Sequence, residues 1–456
     1  MRAWRTESGA SAPIWITLVV LLAYANALVG PFQFDDFNVI VNQTQVHSWA
    51  NWIAALPNGI RPLLKLSYTV DWTLGLGATG FHLGNLIIHL MNTWLVYRLA
   101  QEFVQQQWQR ELMQPAALLA ALLFALHPAH TEAVTYISGR SASLMTTFYL
   151  AGLLCYVRAR LWEDRRALYL YTPLLFLLAL ATKETAVTFP LALLAWELGC
   201  GGRWKTAFKP MWINWAVLGL AAIFFVTSDS YLTHMQRSAE LNSLQGNLAT
   251  QLNGFAWLMQ QLALPQSQNI DPDLPLLSGI ADALLPLVLA IALLIAMVLS
   301  RRSRPWLSFA LAWAMLHLIP LYLVLPRIDV ANERQLYLAG WPLLLALSME
   351  LALCLDTQRL RVVAAVMLLA CASLTVLRNQ DYSSEIALWQ DTARKSPDKA
   401  RVHNNLGHAY LLAQRHEEAR REFITAMKLD PYLHQARYNL FRTDDEIEKA
   451  GGTLRP

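Results

Sequence analysis

Apolar residues gather into long, charge-poor runs near residues 14–30, 80–100, 115–134, 141–160, 167–182, 184–200, 211–228, 280–299, 305–325, 335–355 and 361–378. A helix rises about 1.5 Å per residue, so runs of this kind are suited to a hydrocarbon core of about 30 Å. The pattern predicts an all-α, polytopic membrane protein with about 11 transmembrane helices. An odd count puts the chain after residue 378 on the opposite side from Met1. Two stretches between spans are long. Residues 31–79 place Trp49, Trp52 and Trp72 among alternating charged and apolar positions, as expected of helices lying along the interface. In residues 229–279 the apolar patch from Phe255 to Leu262 is too short to cross and is ended by Pro265, so it is expected to be re-entrant or interfacial. A crossing there would invert the topology of everything after it.

The pattern changes beyond residue 378. With Ala400 as position 1 of a 34-residue repeat, Leu406, Gly407, Tyr410, Ala419, Phe423, Ala426 and Pro431 fall at the positions of the tetratricopeptide pattern. One repeat earlier, Trp389 stands where Phe423 does and Pro397 where Pro431 does. The chain therefore divides into a membrane domain, 1–378, and a helical-repeat domain, 379–456, with one full repeat, a preceding half-repeat and a capping helix. The small residues are needed where paired helices touch, and the aromatic ones fill the space between them.

Charge sharpens this division. Of 456 residues only 15% are charged, against about 25% in an ordinary soluble domain. The deficit is confined to the first 378 residues, roughly 12% charged, whereas the tail is roughly 31% charged. Sixteen Lys/Arg fall in the segments on the Met1 side (from Arg2 and Arg5 through Arg158, Arg160, Arg165 and Arg166 to Arg359 and Arg361), against seven opposite them before the tail. That asymmetry places Met1 in the cytoplasm and the tail in a periplasmic or lumenal space. The first span, ending near Ala25-Asn26-Ala27, reads as an uncleaved anchor rather than a signal peptide. A net charge of +4 without clustering does not suggest nucleic acid as a partner, and Cys155, Cys200, Cys354 and Cys371 sit in or beside apolar runs as small buried thiols.

The candidate chemistry lies on one side. Asp35-Asp36 follows the first span, Arg61 opens the second half of the first outer loop, and His127, His130 and Glu132 end the third span. Arg140 begins the fourth, Lys183-Glu184 fills a tight turn, and Glu333-Arg334 precedes the tenth. All are expected at the outer boundary, where ionisable groups are functional candidates. Singly, each admits a structural role as a helix cap, a turn ion pair or a hydrated helix end; such roles do not account for their sharing one face. Paired carboxylates repel and raise a pKa, and Arg and Lys supply fixed positive charge of the kind that holds a phosphate. No close HExxH spacing accompanies the histidines.

In order, Phe34-Asp35-Asp36, Arg61-Pro62-Leu63, Phe81-His82-Leu83-Gly84-Asn85-Leu86, the segment from Leu123 through His127-Pro128-Ala129-His130-Thr131-Glu132 to Val134, Gly139-Arg140, Lys183-Glu184 and Glu333-Arg334-Gln335-Leu336-Tyr337-Leu338 resemble the transmembrane and tetratricopeptide-repeat O-mannosyltransferases, a family within the GT-C-type lipid-phosphate-sugar glycosyltransferases. The resemblance implies inverting transfer of a monosaccharide, such as mannose, from a polyprenyl-phosphate donor to an acceptor outside the cytoplasm, here Ser/Thr hydroxyls of protein. It makes Asp35 and Asp36 the catalytic pair; because a hydroxyl nucleophile needs a carboxylate to take its proton, Asp35 is expected as the base, with Asp36 orienting it or the acceptor. Arg140 and Lys183, then Arg61 and Arg334, are expected at the donor phosphate. His130, Glu132, Glu184 and Glu333 are expected to position the sugar, the acceptor or the cationic side chains. A divalent metal is left unassigned, and the repeats are expected to gather a peptide or protein acceptor. This chain departs from the family in its very short repeat array. Two other functions remain open: a ligase or polymerase moving a whole lipid-linked glycan from a diphosphate, and a non-catalytic repeat-bearing receptor or transporter.

Overall fold

A computed structural model describes residues 12–57, 59–107, 113–202, 207–228, 232–233, 243–319 and 329–449. Among these the chain is helical without strands. In chain order the helices are α1 (Ala12–Tyr24), α2 (Trp49–Ala55), α3 (Pro62–Leu74), α4 (Gly77–Gln106), α5 (Met113–Leu126), α6 (Thr131–Val134), α7 (Arg140–Trp162), α8 (Thr172–Thr182), α9 (Phe189–Gly199) and α10 (Trp212–Thr227). They continue with α11 (Leu244–Ala263), α12 (Leu284–Ser300), α13 (Pro305–Leu318), α14 (Leu336–Ala339), α15 (Trp341–Cys354), α16 (Thr357–Asp381), α17 (Glu385–Lys395), α18 (Ala400–Leu412), α19 (His416–Leu429) and α20 (His434–Lys449).

Each of the eleven apolar runs is helical over most of its described length, but they differ in what they present to a bilayer. Five helical segments are long and apolar enough to cross, and two pairs bent by 56° and 59° raise the number to seven. The bends fall at His127-Pro128 and at Gly340, just before Trp341-Pro342, where a proline without an N–H starts a new helix. The run at 80–100 lies in α4, which buries Asn85, His89, Asn92 and Thr93 inside the bundle. The runs at 167–182 and 305–325 give shorter helices, and residues 320–328 lie outside the described residues. Eleven crossings are therefore not established by length and composition. Of the charges that set the expected orientation, Arg2, Arg5, Arg110, Arg203, Lys205, Arg237 and Arg327 also lie outside the described residues.

The core is aromatic. Phe103, Trp196, Phe309, Trp313 and Trp341 pack ring against ring where α4, α9, α13 and α15 meet. α12 and α16 leave leucines and valines such as Leu285, Leu299, Val366 and Leu369 exposed, an apolar surface too extensive for water and suited to lipid. The segment expected to be re-entrant is longer than its apolar patch: α11 has 20 residues, buries Asn247, Gln251 and Gln261, and is not among the helices apolar enough to cross.

The repeat consensus is explained by the last four helices. Gly407 lies against the Phe423 ring, where a Cβ would come within 2.7 Å of it, and Trp389, Leu406, Tyr410, Ala419 and Phe423 form one apolar cluster. Phe34 and Ile270, from the membrane part of the chain, pack on the same cluster.

Candidate active site

The acidic pair follows α1 through an extended Gly30 and a turn in which Phe34 adopts φ +46°. Its two carboxylates have different surroundings. Asp36 is 1% exposed; one oxygen accepts from the Ser138 backbone N–H at 2.9 Å and from the Ser138 hydroxyl, and the other accepts from the Gln33 N–H at 3.0 Å. Burial pushes its pKa up to about 7, against the opposing pull of those three donors. Asp35 is half-buried. Its backbone N–H donates to the Tyr136 hydroxyl at 2.9 Å, and the same hydroxyl interacts with its carboxylate. Burial raises the Asp35 pKa first; the Asp329 carboxylate adds to the rise, and Arg334 and Arg401 oppose it.

Tyr136 and Ser138 belong to the turn between α6 and α7, and the glycine after them has a steric reason. A Cβ on Gly139 would lie 2.0 Å from the Glu132 carbonyl oxygen, so only glycine lets the turn close on itself. The Gly139-Arg140 motif thus joins two of the predicted site segments.

Arg140 itself occupies a scaffold position. It is 1% exposed, forms a 2.6 Å ion pair with Asp71, and donates to Asn85 Oδ1 at 2.5 Å and to the Phe81 carbonyl at 2.7 Å. A side chain at Gly84 would collide with both members of that pair. The Phe81–Leu86 motif is therefore the nest that receives the guanidinium, and His82 extends it by bonding the Gly30 carbonyl at 3.0 Å.

Two other expected cations meet in a cavity. Lys183, 8% exposed, and Arg334 line a small cavity of about 30 Å³ with Thr146, Thr185, Thr188 and His317. The Arg334 guanidinium also lies in the field of Asp35. Arg61, whose φ is +53°, turns its guanidinium onto Glu184 through contacts of 2.8–3.1 Å, beside Lys183 rather than among the residues that line the cavity.

The remaining candidates act from behind. Glu132, 1% exposed, accepts from the Arg334 backbone N–H at 2.9 Å and faces its Nε at 3.4 Å. His127 accepts from the Ala129 N–H and meets the Leu262 carbonyl at 3.0 Å, while His130 meets the Phe124 carbonyl at 2.7 Å; both rings brace the bend between α5 and α6. Glu333 is fully buried and accepts from the Asn269 N–H at 2.5 Å. The structure thus places His130 and Glu333 in packing around the site rather than along its cavity. Among the described residues no three His, Cys, Asp or Glu side chains gather as a metal set.

Sequence reasoning missed Tyr136, Ser138 and His317. His317 sits alone in an apolar run and gives no signal; it is held by Tyr149 at 2.9 Å and by the Trp313 carbonyl at 2.8 Å. Along α9 and α13, Leu191, Leu194, Met297, Phe309 and Leu316 line a mostly apolar groove of about 400 Å³, with α12 as its third wall.

Comparison with known proteins agrees with the ordered motifs. The chain is 26% identical to the protein O-mannosyl-transferase F38B6.6 of Caenorhabditis elegans over 94% of its own length and 65% of that protein. It is 25% identical to the human protein O-mannosyl-transferase TMTC4 over 87% of the chain and 64% of that protein. With human TMTC3, also named a protein O-mannosyl-transferase, the figures are 25%, 94% and 53%. The chain therefore spans between about half and just under two thirds of these relatives. No family model matches the chain, and no solved structure matches it.

Proposed function

Because the chain is a relative of the transmembrane and tetratricopeptide-repeat protein O-mannosyl-transferases along most of its length, we propose that it is an inverting glycosyltransferase, moving a monosaccharide from a polyprenyl phosphate to Ser/Thr hydroxyls of a protein outside the cytoplasm. The observation that carries this reading is the position of Arg334, which lines a cavity with Lys183 and lies within electrostatic range of the Asp35 carboxylate. A base and a cationic phosphate site are the two requirements of the reaction.

A serine or threonine hydroxyl is a weak nucleophile near neutral pH. Asp35 takes its proton as the hydroxyl oxygen bonds to the anomeric carbon, and Tyr136 fixes the carboxylate that does so. On the opposite face the bond from that carbon to the phosphate oxygen breaks, and the phosphate leaves with the electron pair. Lys183 and Arg334 meet the charge that develops there, held in place before the reaction by their surroundings. Asp36 ties the acidic loop to the Ser138 turn and so orients its neighbour. Thr146, Thr185, Thr188 and His317 offer polar atoms to sugar hydroxyls, and the apolar groove along α9 and α13 suits an isoprenoid chain.

The test is transfer by the purified full chain in lipid nanodiscs, supplied with polyprenyl-phosphate mannose and a Ser/Thr peptide and read by intact mass. One added hexose is expected. Transfer only from a diphosphate-linked glycan would replace this reading with a glycan ligase.

A further inference from the structure

The loop bearing the acidic pair is held from two sides, and one of those sides is the tail. Phe34 has φ +46°, a left-handed backbone that a bulky residue keeps only where its surroundings hold it. Its ring packs edge-on against Trp389 of α17, with centroids 5.1 Å apart and planes at 79°. Trp389 is itself 1% exposed. The Glu385 carboxylate, one turn earlier on α17, interacts with the Phe34 backbone N–H. Just before Phe34, the Gln33 side-chain amide donates to the Tyr382 carbonyl at 2.5 Å, and the Tyr382 ring faces Tyr136. The residue that follows Phe34 is Asp35, so backbone relaxation at Phe34 would swing that carboxylate directly.

The tail is also clipped in place. Lys399 and Arg401 both bond Asp271, at 2.6 Å and 2.9 Å, and Asn269 donates to Ser396 at 2.8 Å. Ile270, between these two anchors, packs on the cluster that holds Phe34. A module that served only to collect acceptor would not need to grip the loop before the base.

Building on the proposed transferase reading, we infer that the first tail helix is part of the active-site wall: Trp389 holds Phe34 in its left-handed turn and so aims Asp35, which makes Trp389 a positioning residue. Acceptor gathering, if the tail performs it, is then a second task added to this one.

The experiment uses the full chain in nanodiscs, with polyprenyl-phosphate mannose and a Ser/Thr tripeptide too short to lie along the repeat helices. Trp389→Ala is expected to lower kcat about tenfold or more, with the donor KM within about threefold, since a small misplacement of a reacting group costs this much. Trp389→Phe, which keeps an aromatic ring, should recover most of the rate. Phe34→Gly should also slow turnover, and adding Trp389→Ala to it should cost little more, because the tryptophan acts through that ring. Amide hydrogen exchange gives a readout that does not depend on transfer: Trp389→Ala should speed exchange at Asp35–Phe37 while α18 and α19 stay protected. Wild-type kcat in Trp389→Ala, fully additive losses in the double variant, or unchanged exchange at Asp35–Phe37 would each overturn the inference. If the wild-type chain transfers no sugar, the transferase reading fails, and the exchange comparison still decides whether the tail holds this loop.

Discussion

Glu132 grips Arg334 at two points: one carboxylate oxygen accepts from its backbone N–H at 2.9 Å, and the other lies 3.4 Å from Nε. The two residues are about 200 apart in the chain, yet this contact decides where a cavity-lining cation points. Glu132→Gln keeps an acceptor but removes the charge. Donor-dependent kcat/KM is expected to fall about ten- to a hundredfold, in line with the 1.5–3 kcal/mol typical of hydrogen bonds to charged groups. Steady-state kinetics with varied donor check it; an unchanged kcat/KM would detach Glu132 from the cation.

Lys183 and Arg61 are separated by the same measurement. Lys183→Ala should cut donor kcat/KM about a hundredfold, with Lys183→Arg retaining part of it. Arg61→Ala should cost less, because the Arg61 charge is turned onto Glu184 beside the cavity. Equal losses in the two alanine variants would place Arg61 at the phosphate as well.

Arg140 is expected to report on folding instead. Removing one member of the Arg140–Asp71 pair leaves a buried charge uncompensated, at a typical cost of about 3–5 kcal/mol. Arg140→Met and Asp71→Asn should both lower the thermal unfolding midpoint in detergent, while folded protein keeps a near wild-type donor KM. A raised KM at unchanged stability would return Arg140 to the phosphate site.

The pH dependence has a worked sign. Asp35 must be ionised to act as base, and burial together with the Asp329 charge raises its pKa above the ordinary carboxylate range. Activity therefore climbs with pH on a limb displaced upward from a normal aspartate. Asp329→Asn removes a negative neighbour, makes the Asp35 anion easier to form and should move the limb to lower pH. Arg401→Gln removes a positive neighbour and should move it higher. Profiles of kcat/KM against pH check both; shifts in the opposite directions would exclude Asp35 as the titrating base.

The acidic pair, the cations and the tail's small-residue spacing were legible in the sequence because each is a local pattern. The different surroundings of Asp35 and Asp36 were not, because they depend on Ser138 and Tyr136 about a hundred residues away. Arg140 was expected at the phosphate for a similar reason: charge and location can be read locally, but the Asp71, Asn85 and Gly84 nest around it cannot. The strap at Asn269–Asp271 carries no motif, although it fastens the tail through one carboxylate and one amide. Helix positions were also clearer than crossings, since the polar groups buried along α4 dilute a run that lies inside the bundle.

A base at Asp35 is tested most directly by single-turnover transfer from polyprenyl-phosphate mannose in folded Asp35→Asn protein. The expected result is a rate about 10²- to 10⁴-fold below wild type, the range typical of general base catalysis, with donor affinity retained. Wild-type transfer by that variant would contradict the assignment of Asp35 and, with it, the division of labour proposed for the acidic pair.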